Sequence, residues 1–255
     1  MQEKNCPPAP VIEMQNVGIR YGQGPEILSD VKLSLPRGSF HFLTGKSGAG
    51  KTSLLSMMYL AQKPSRGSMS VFGKNINFTH RDSLAMLRRR IGVVFQDFRL
   101  LEHLTAFDNV ALPLRVCGMD EREIRKRVSE LLSWVELDKH MLDTPATLSG
   151  GEKQRISIAR CILKDAPIVI LDEATASVDT DNESYIQEAI SELVKGKTLL
   201  VIAHRLNTIQ NADQILVIDN GQIAQQGTHE ELLKQPGIYQ DFVNIRKSAA
   251  GWSLA

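Results

Sequence analysis

The fold is decided by Gly45-Lys46-Ser47-Gly48-Ala49-Gly50-Lys51-Thr52, which matches the pattern G-x-x-x-x-G-K-[ST] at every fixed position. A strand-like apolar stretch at 39–44 leads into this segment, and a helical pattern at 51–60 follows it. Its glycines allow backbone N–H groups to turn inward around phosphate oxygens, and the helix start adds a positive end. We therefore predict that all eight residues bind the phosphates of a nucleotide, with Lys51 at the β- and γ-phosphates and the Thr52 hydroxyl on Mg²⁺.

Two adjacent carboxylates end a second apolar stretch. Residues 168–171 are continuously apolar, as in strands that are buried on both faces, and Asp172 and Glu173 follow directly. Adjacent strand residues point to opposite sides, but at a strand end the chain can turn and bring both carboxylates toward the nucleotide. Asp172 would hold Mg²⁺ through its water shell, because Mg²⁺ loses water reluctantly, and Glu173 would polarise the attacking water as a general base. Together with the phosphate loop (residues 45–52), this pair predicts nucleotide hydrolysis.

The remaining patterns indicate an α/β protein with a mainly parallel sheet. Loose alternation at 11–21 and 27–35 predicts an antiparallel β-element near the N-terminus. Continuous apolar stretches predict buried strands at 91–95, 168–171 and 198–203. Spacing and composition predict helices at 51–60, 84–90, 122–135 and 151–163. The middle segment, at about 97–160, is expected to be mostly helical.

Composition narrows the functional class. Of the 255 residues, 42% are hydrophobic and 23% are charged, which is typical of a globular domain. The net charge of +1 gives no general attraction to nucleic acid, so we expect no nucleic-acid partner. The three widely spaced cysteines, Cys6, Cys117 and Cys161, form no metal-binding or disulfide pattern. No apolar stretch approaches the roughly 18 residues needed to cross a bilayer, so we expect another chain to supply any membrane part.

A third motif, Leu148-Ser149-Gly150-Gly151-Glu152, lies shortly before the strand that ends in Asp172. It resembles the signature motif of ABC (ATP-binding cassette) ATPases. Ser149 and the two glycines stand at a predicted helix start, where they would form a second anion site, although such a start is also compatible with a simple helix cap. One chain does not need two γ-phosphate sites for one ATP. The resemblance implies that the signature of one subunit closes over ATP held by another, in an ATP-dependent head-to-tail homodimer.

Four further landmarks are implied by the same resemblance. Tyr21 corresponds to the aromatic residue that stacks on adenine, although it is also compatible with an ordinary strand tyrosine. Gln96 corresponds to the glutamine that contacts Mg²⁺ and water and senses the transport partner. Ser177-Val178-Asp179 corresponds to a loop that crosses the dimer interface, and His204 to the switch histidine at the γ-phosphate. With the residues above, the predicted catalytic set is Lys51, Gln96, Glu173 and His204, and the predicted metal ligands are Thr52, Gln96 and Asp172.

The resemblance covers nearly the whole chain and implies the P-loop NTPase fold of ABC ATPases. We expect an ATPase domain at 11–245 with a helical subdomain at about 97–160. An N-terminal extension at 1–10 and a C-terminal tail at 246–255 would flank this domain. The resemblance further implies ATP and Mg²⁺ as cofactors, and a transmembrane partner that holds the chain at the cytoplasmic face of the membrane.

The segment after Gln96 has two interpretations. Around 98–113 the resemblance implies a groove that grips a coupling helix of the membrane partner. The apolar residues at the start of this segment are equally compatible with packing inside the helical subdomain. These residues are Phe98, Leu100, Leu101 and Leu104.

The two halves of the chain resemble different branches of the family. Residues 95–101 and 105–114 are similar to stand-alone ATPases, especially the bacterial cell-division ATPase FtsE. Residues 172–176, 203–206 and 227–233 are similar to ATPase domains fused to exporters. Either the chain is a natural or engineered chimera joined between about 142 and 165, or it is an ordinary member of a mixed branch. The first half also suggests an alternative function, as a cell-division regulator that signals through a membrane partner without moving solute.

Overall fold

The computed structural model describes residues 9–172, 190–202 and 211–250, with side chains to residue 245. The chain divides into two compact units. The first unit comprises 1–88 and 198–255, and the second comprises 89–197.

The described strands and helices follow one another in the order expected of an α/β protein. The strands are β1 (Pro10–Arg20), β2 (Glu26–Pro36), β3 (Phe40–Gly45), β4 (Arg66–Val71), β5 (Lys74–Asn75), β6 (Ile91–Val94), β7 (Ile168–Asp172), β8 (Thr198–Ile202), β9 (Gln214–Asp219) and β10 (Gln222–Gly227). The helices are α1 (Lys51–Met58), α2 (Arg81–Arg89), α3 (Ala106–Val116), α4 (Glu121–Trp134), α5 (Gly150–Lys164), α6 (His229–Lys234) and α7 (Ile238–Ala250). Short 3₁₀ turns occur at Asp138–His140 and Pro145–Thr147.

The first unit contains the predicted antiparallel β-element. Strands β2, β1, β4 and β5 pair in that order, and every pair is antiparallel. In β2 the buried residues Val31, Leu33 and Leu35 alternate with the exposed residues Lys32 and Ser34. This period of two is the pattern of a strand with one buried and one exposed face, and it confirms the prediction made from the alternating sequence.

The same unit contains the strand that carries the phosphate loop. Strand β3 lies between β8 and β9 and runs parallel to both. Residues 41–44 of β3 are all buried, as expected for a parallel strand with neighbours on both sides. Strand β9 continues into the antiparallel strand β10 through Asn220 and Gly221, whose φ angles of +47° and +76° make a tight turn. The prediction of a mainly parallel core is thus confirmed here.

The second unit combines a parallel strand pair with a helical cluster. Strand β6 runs parallel to β7. The buried faces of α3, α4 and α5 enclose a hydrophobic cluster that includes Val110, Ile124, Val128 and Ile156, each fully buried. The helical spacing of the apolar residues in α4 predicts this burial, because positions three and four apart share one face.

Each predicted element is confirmed, and its bounds differ from the prediction by three residues at most. Strands β4, β5, β9 and β10 and helices α6 and α7 were not predicted, and α3 was covered only by the expectation that the segment at about 97–160 is mostly helical. In the described residues no helix is long and apolar enough to cross a membrane.

A buried histidine makes the stability of the first unit depend on pH. His41 in β3 is 1% exposed, and its Nε2 lies 2.6 Å from the Ser39 hydroxyl. Burial lowers the pKa of His41 from 6.5 to about 4, against the opposing effect of the nearby Asp213 carboxylate. Because the unfolded chain then binds this proton more readily than the folded chain, folding stability is lost as the pH falls between these two values.

We expect the free energy of unfolding to fall by up to about 3 kcal/mol as the pH drops from about 6.5 to about 4 through this residue alone. The variant His41→Gln, which cannot titrate, should lose this part of the pH dependence in urea titrations. Exposed His80 provides the matched control, since His80→Gln should keep it. Equal pH slopes for His41→Gln and the parent chain would contradict the assignment.

Candidate nucleotide-binding site

The first glycine of the phosphate loop is held by the backbone of a neighbouring strand. Gly45 ends β3 and is paired with Ile218 of β9. Its φ is +151°, and a Cβ atom at this position would lie 2.2 Å from the Ile218 carbonyl oxygen. Only glycine fits such an approach without displacing β9. The sheet therefore fixes the point at which the chain leaves β3 and enters the loop.

The last glycine of the loop begins helix α1. Gly50 adopts a φ of +105°, and a Cβ atom here would lie 2.6 Å from the Leu28 side chain. As the N-cap residue it has no side chain with which to cap the helix, and the first turn of α1 contains no acidic residue. A helix start of this kind favours an anion in the capping position, since its first N–H groups have no intrahelical acceptors.

The lysine of the motif folds back over the loop. Its ammonium group donates to the carbonyl oxygens of Gly45 and Lys46, both at 2.8 Å. The positive charge of Lys51 is thus positioned at the loop where the sequence analysis places the phosphates. The loop residues Lys46, Ser47, Gly48 and Thr52 are exposed, and Ala49 is buried.

Tyr21 lies one residue beyond the end of β1 and is 45% exposed. Its hydroxyl donates to the Ser53 hydroxyl at 3.3 Å, so the ring is tethered to the first turn of α1. An exposed aromatic ring beside a phosphate loop is suited to stacking on a base. Sequence reasoning did not identify Ser53, because the contact joins residues 32 positions apart.

In the second unit, two polar residues follow neighbouring parallel strands. Strand β7 ends at Asp172, which is partly exposed. Gln96 is exposed and lies two residues beyond the end of β6. Because β6 and β7 are parallel and in register, with Val94 opposite Leu171, both side chains belong to the same edge of the strand pair. Polar ligands for a nucleotide complex are commonly found at such carboxyl ends.

The signature motif forms the start of helix α5. Ser149 is the N-cap residue, and its hydroxyl oxygen accepts from the Glu152 N–H at 3.3 Å. The Glu152 carboxylate accepts from the Ser149 N–H at 2.7 Å, which completes a capping box. Leu148 is buried in the hydrophobic cluster, whereas Gly150 is exposed, with open space around the position of a Cβ atom. The Ser149 hydroxyl accepts the cap bond and keeps its O–H group available as a donor.

Helix α5 also holds the segment that follows Gln96. The Arg160 guanidinium donates to the carbonyl oxygens of Phe98 and Arg99, both at 2.8 Å, and the Ser157 hydroxyl donates to Phe98 at 3.3 Å. Phe98 and Arg99 both adopt positive φ angles, so these donors stabilise an unfavourable turn. The sequence gives no signal for this contact, because its acceptors are backbone carbonyls, which every residue carries.

The two interpretations of the segment after Gln96 each describe part of it. Leu100 packs against the hydrophobic cluster of the second unit. Leu101 is 41% exposed, and Phe98 and Leu104 are partly buried. The start of the segment therefore contributes to the core and also presents apolar surface.

Several predicted site residues lie outside the described residues: Glu173, Ser177, Val178, Asp179 and His204. Within residues 9–172, 190–202 and 211–250, no group of three or more His, Cys, Asp or Glu side chains is arranged to hold a metal ion. A magnesium ion bound with a nucleotide needs only one or two protein carboxylates besides phosphates and water. The exposed Thr52 hydroxyl in the first unit and the Asp172 carboxylate in the second unit are each oxygen ligands of the kind that Mg²⁺ prefers.

Comparisons with known proteins place these features in context. The family model described as ABC transporter matches residues 28–176. The methionine import ATP-binding protein MetN of Brucella abortus is 39% identical over 231 residues, which is 89% of this chain and 62% of the relative. The β-(1→2)glucan export ATP-binding/permease protein NdvA of Rhodopseudomonas palustris is 38% identical over 234 residues, covering 90% of this chain and 38% of the relative. The chain thus spans less than two thirds of either relative.

A solved structure shows the same architecture. The dimeric post-hydrolysis state of the ATP-binding cassette MJ0796, bound to ADP and Pi, superposes with a TM-score of 0.77 at 31% sequence identity. The match covers 85% of this chain and 98% of that one.

The close approach at Gly45 gives a prediction for stability. The substitution Gly45→Ala should destabilise the chain by about 3 kcal/mol, because the new Cβ atom displaces a strand backbone. Gly48→Ala is the matched control: Gly48 also has a positive φ, of +77°, but nothing lies within 4 Å of its Cβ position. The control should cost only about 1 kcal/mol in urea unfolding. Equal costs for the two variants would show that β9 does not constrain the loop.

Proposed function

Because the chain belongs to the ABC transporter family, we propose that two copies bind two ATP molecules head to tail and hydrolyse them to drive a membrane partner. Each ATP would lie between the phosphate loop of one copy and the signature of the other. One observation carries this proposal. Two motifs singled out in the sequence form helix starts suited to phosphate in the described residues, at Gly50 in the first unit and at Ser149 in the second. A single ATP bound to a single chain would leave one of them unused.

The residues of the first unit would bind the nucleotide itself. The phosphate loop would surround the phosphates with its N–H groups, and the Lys51 ammonium would exchange a loop carbonyl for β- and γ-phosphate oxygens. The Tyr21 ring would stack on adenine from its position beside α1. The similarity to a cassette solved with ADP and Pi supports this assignment.

A further set of residues would serve hydrolysis. As the family resemblance implies, the Mg²⁺ ligands would be Thr52, Asp172 and Gln96, and the ion would neutralise charge on the phosphates. Glu173 would accept a proton from the attacking water, and His204 would donate to the γ-phosphate. The turn held by Arg160 would position Gln96 relative to α5.

The γ-phosphate would be the charged bridge between the two copies. While it is bound, donors from both chains converge on it. After hydrolysis, phosphate leaves and the contacts between signature and nucleotide are lost, so the dimer opens. In this account ATP binding closes the dimer and hydrolysis reopens it, and the Ser177-Val178-Asp179 loop would cross the interface.

We further propose that a transmembrane partner receives this movement at the segment 98–113, which would place the chain at the inner face of the membrane. The exposed side chain of Leu101 supplies apolar surface for such a contact. The net charge of +1 argues against nucleic acid as the partner. Salt-sensitive binding to DNA or RNA would contradict this part of the proposal.

The alternative function is regulatory: an FtsE-like ATPase that signals through its membrane partner during cell division. It rests on the FtsE-like residues 95–101. The chain is about as similar to an import ATP-binding protein, at 39% identity, as to an export ATP-binding/permease protein, at 38%. Both origins stay part of the proposal: a natural or engineered chimera joined between about 142 and 165, or an ordinary member of a mixed branch. Calorimetric and van't Hoff enthalpies that agree would show that no poorly matched junction divides the chain, since two-state unfolding requires them to agree.

Dimerisation gives the direct test of the proposed function. The variant Glu173→Gln should bind ATP but hydrolyse it slowly, so closed dimers accumulate. Light scattering should then show the mass doubling from 28.4 kDa when ATP and Mg²⁺ are added. Adding Ser149→Arg to this variant should abolish the doubling, because the new side chain obstructs the second anion site. A chain that binds ATP and stays monomeric would contradict the proposal.

A further inference from the structure

His140 lies between two carboxylates in the second unit. Its Nδ1 is 2.7 Å from Oδ2 of Asp143, and its Nε2 is 3.3 Å from Oε1 of Glu152. The other oxygen of Glu152, Oε2, accepts the N–H of Ser149 at 2.7 Å. A continuous chain of polar contacts therefore runs from Asp143 through His140 to the residue that begins α5.

The backbone around His140 is held independently of these side chains. The Asp143 N–H donates to the His140 carbonyl at 3.1 Å. The Asp143 carbonyl accepts from the Ala106 N–H at 2.8 Å, and the Met141 carbonyl accepts from the Phe107 N–H at 3.0 Å. The segment that carries the ring is thus fixed to the first turn of α3. A change in the charge of His140 would act on its side-chain partners, because the backbone that carries the ring has its own supports.

The number of ring protons decides how many of these contacts are favourable. A neutral imidazole donates from one nitrogen and presents a lone pair at the other, whereas an imidazolium donates from both. Both nitrogens of His140 face carboxylates, so only the protonated ring satisfies Asp143 and Glu152 together. In the neutral state one carboxylate faces a lone pair, which is repulsive. Histidine is the side chain whose charge changes near neutral pH.

The Glu152 carboxylate is ionised and thus able to respond to the ring. Burial acts to raise the pKa of Glu152, but hydrogen bonds from Ser149 and the charges of His140 and Arg155 lower it overall. The charged groups that act on this carboxylate are therefore His140, from the 3₁₀ turn, and Arg155, from α5 itself. Because the side chains of His140 and Glu152 are 39% and 20% exposed, solvent screens the contact and its effect is moderate.

We propose that protonated His140 is a positioning residue for the signature, holding the Glu152 carboxylate against the Ser149 N–H. This contact fixes the capping box and with it the direction of the Ser149 hydroxyl, which is the donor offered to an anion. The consequence for ATP rests on the proposed function: a better-ordered signature closes more tightly on ATP bound by a second copy. ATP-dependent dimers should accordingly be more stable when His140 is protonated.

The first arm of the test needs no nucleotide and no dimer. NMR of the full chain between about pH 5 and 8 follows the His140 ring and the Ser149 amide. The Ser149 amide shift should titrate together with the ring. In His140→Gln this titration should disappear, and in His80→Gln, which alters an exposed histidine in the first unit, it should remain. A Ser149 amide shift that stays constant while the His140 ring signals change with pH overturns the proposal.

The second arm measures dimerisation in the Glu173→Gln background. The dissociation constant of the ATP-bound dimer should be about threefold larger at about pH 8 than at about pH 6. His140→Gln should reduce this difference, and His80→Gln should keep it in full. An unchanged pH dependence in His140→Gln overturns the positioning role even if the amide follows the ring.

Two further outcomes keep this test separate from that of the proposed function. If no dimer forms at any pH with His140 present, the proposed function fails, and the NMR arm still decides the contact. If His140→Gln does not fold, His140→Asn replaces it. That variant also removes the ring charge beside Glu152, so it should reduce the pH dependence of dimerisation; an unreduced dependence overturns the proposal.

Discussion

The constraint on which the site depends is that a helix leaves its first backbone N–H groups without intrahelical acceptors. The chain provides for these N–H groups in two different ways. At α1 the N-cap is Gly50, which has no side chain, so the helix start remains open to phosphate. At α5 the N-cap is Ser149, whose capping box satisfies the backbone while its hydroxyl proton stays available. The N-terminus of α1 therefore has free N–H groups that a phosphate can accept from, whereas the N-terminus of α5 is already capped and offers the Ser149 hydroxyl as a donor. In the proposed dimer, a nucleotide bound at the first helix start would meet the second helix start of the other chain.

The supports behind the two helix starts differ as well. The phosphate loop is fixed by backbone, because β9 approaches Gly45 so closely that no side chain fits. The signature is fixed by side chains, through Glu152 and His140. The two supports therefore differ in kind: a close backbone approach holds the phosphate loop, whereas side-chain contacts hold the signature, and under the proposed role of His140 these contacts depend on the charge of the ring.

The local signals in the sequence were sufficient for the phosphate loop, for β7 and for α5, since each depends on residues adjacent in the chain. Strand β9 carries the same continuous apolar signal at 215–218 and could have been assigned by the same criterion. Strand β10 could not, because its sequence QIAQQG is mostly polar and pairs only with β9. Two further contacts could not be predicted from the sequence. Arg160 donates to the turn after Gln96, and His140 lies beside Glu152. Both depend on tertiary contacts, which no spacing along the chain encodes. The two interpretations of Ser149, cap and anion ligand, prove compatible for a simple reason: a hydroxyl accepts and donates at once.

The central claim is that each ATP is shared between two chains, and mixing two inactive variants tests it most directly. Lys51→Ala removes the phosphate-loop charge, and Ser149→Arg blocks the signature, so each variant alone should have almost no ATPase activity. In a mixed head-to-tail dimer, one site contains both defects and the other contains neither. We therefore predict that an equimolar mixture regains ATP turnover well above the sum of the separate variants. A mixture that forms mixed dimers and stays as inactive as its components would contradict the account.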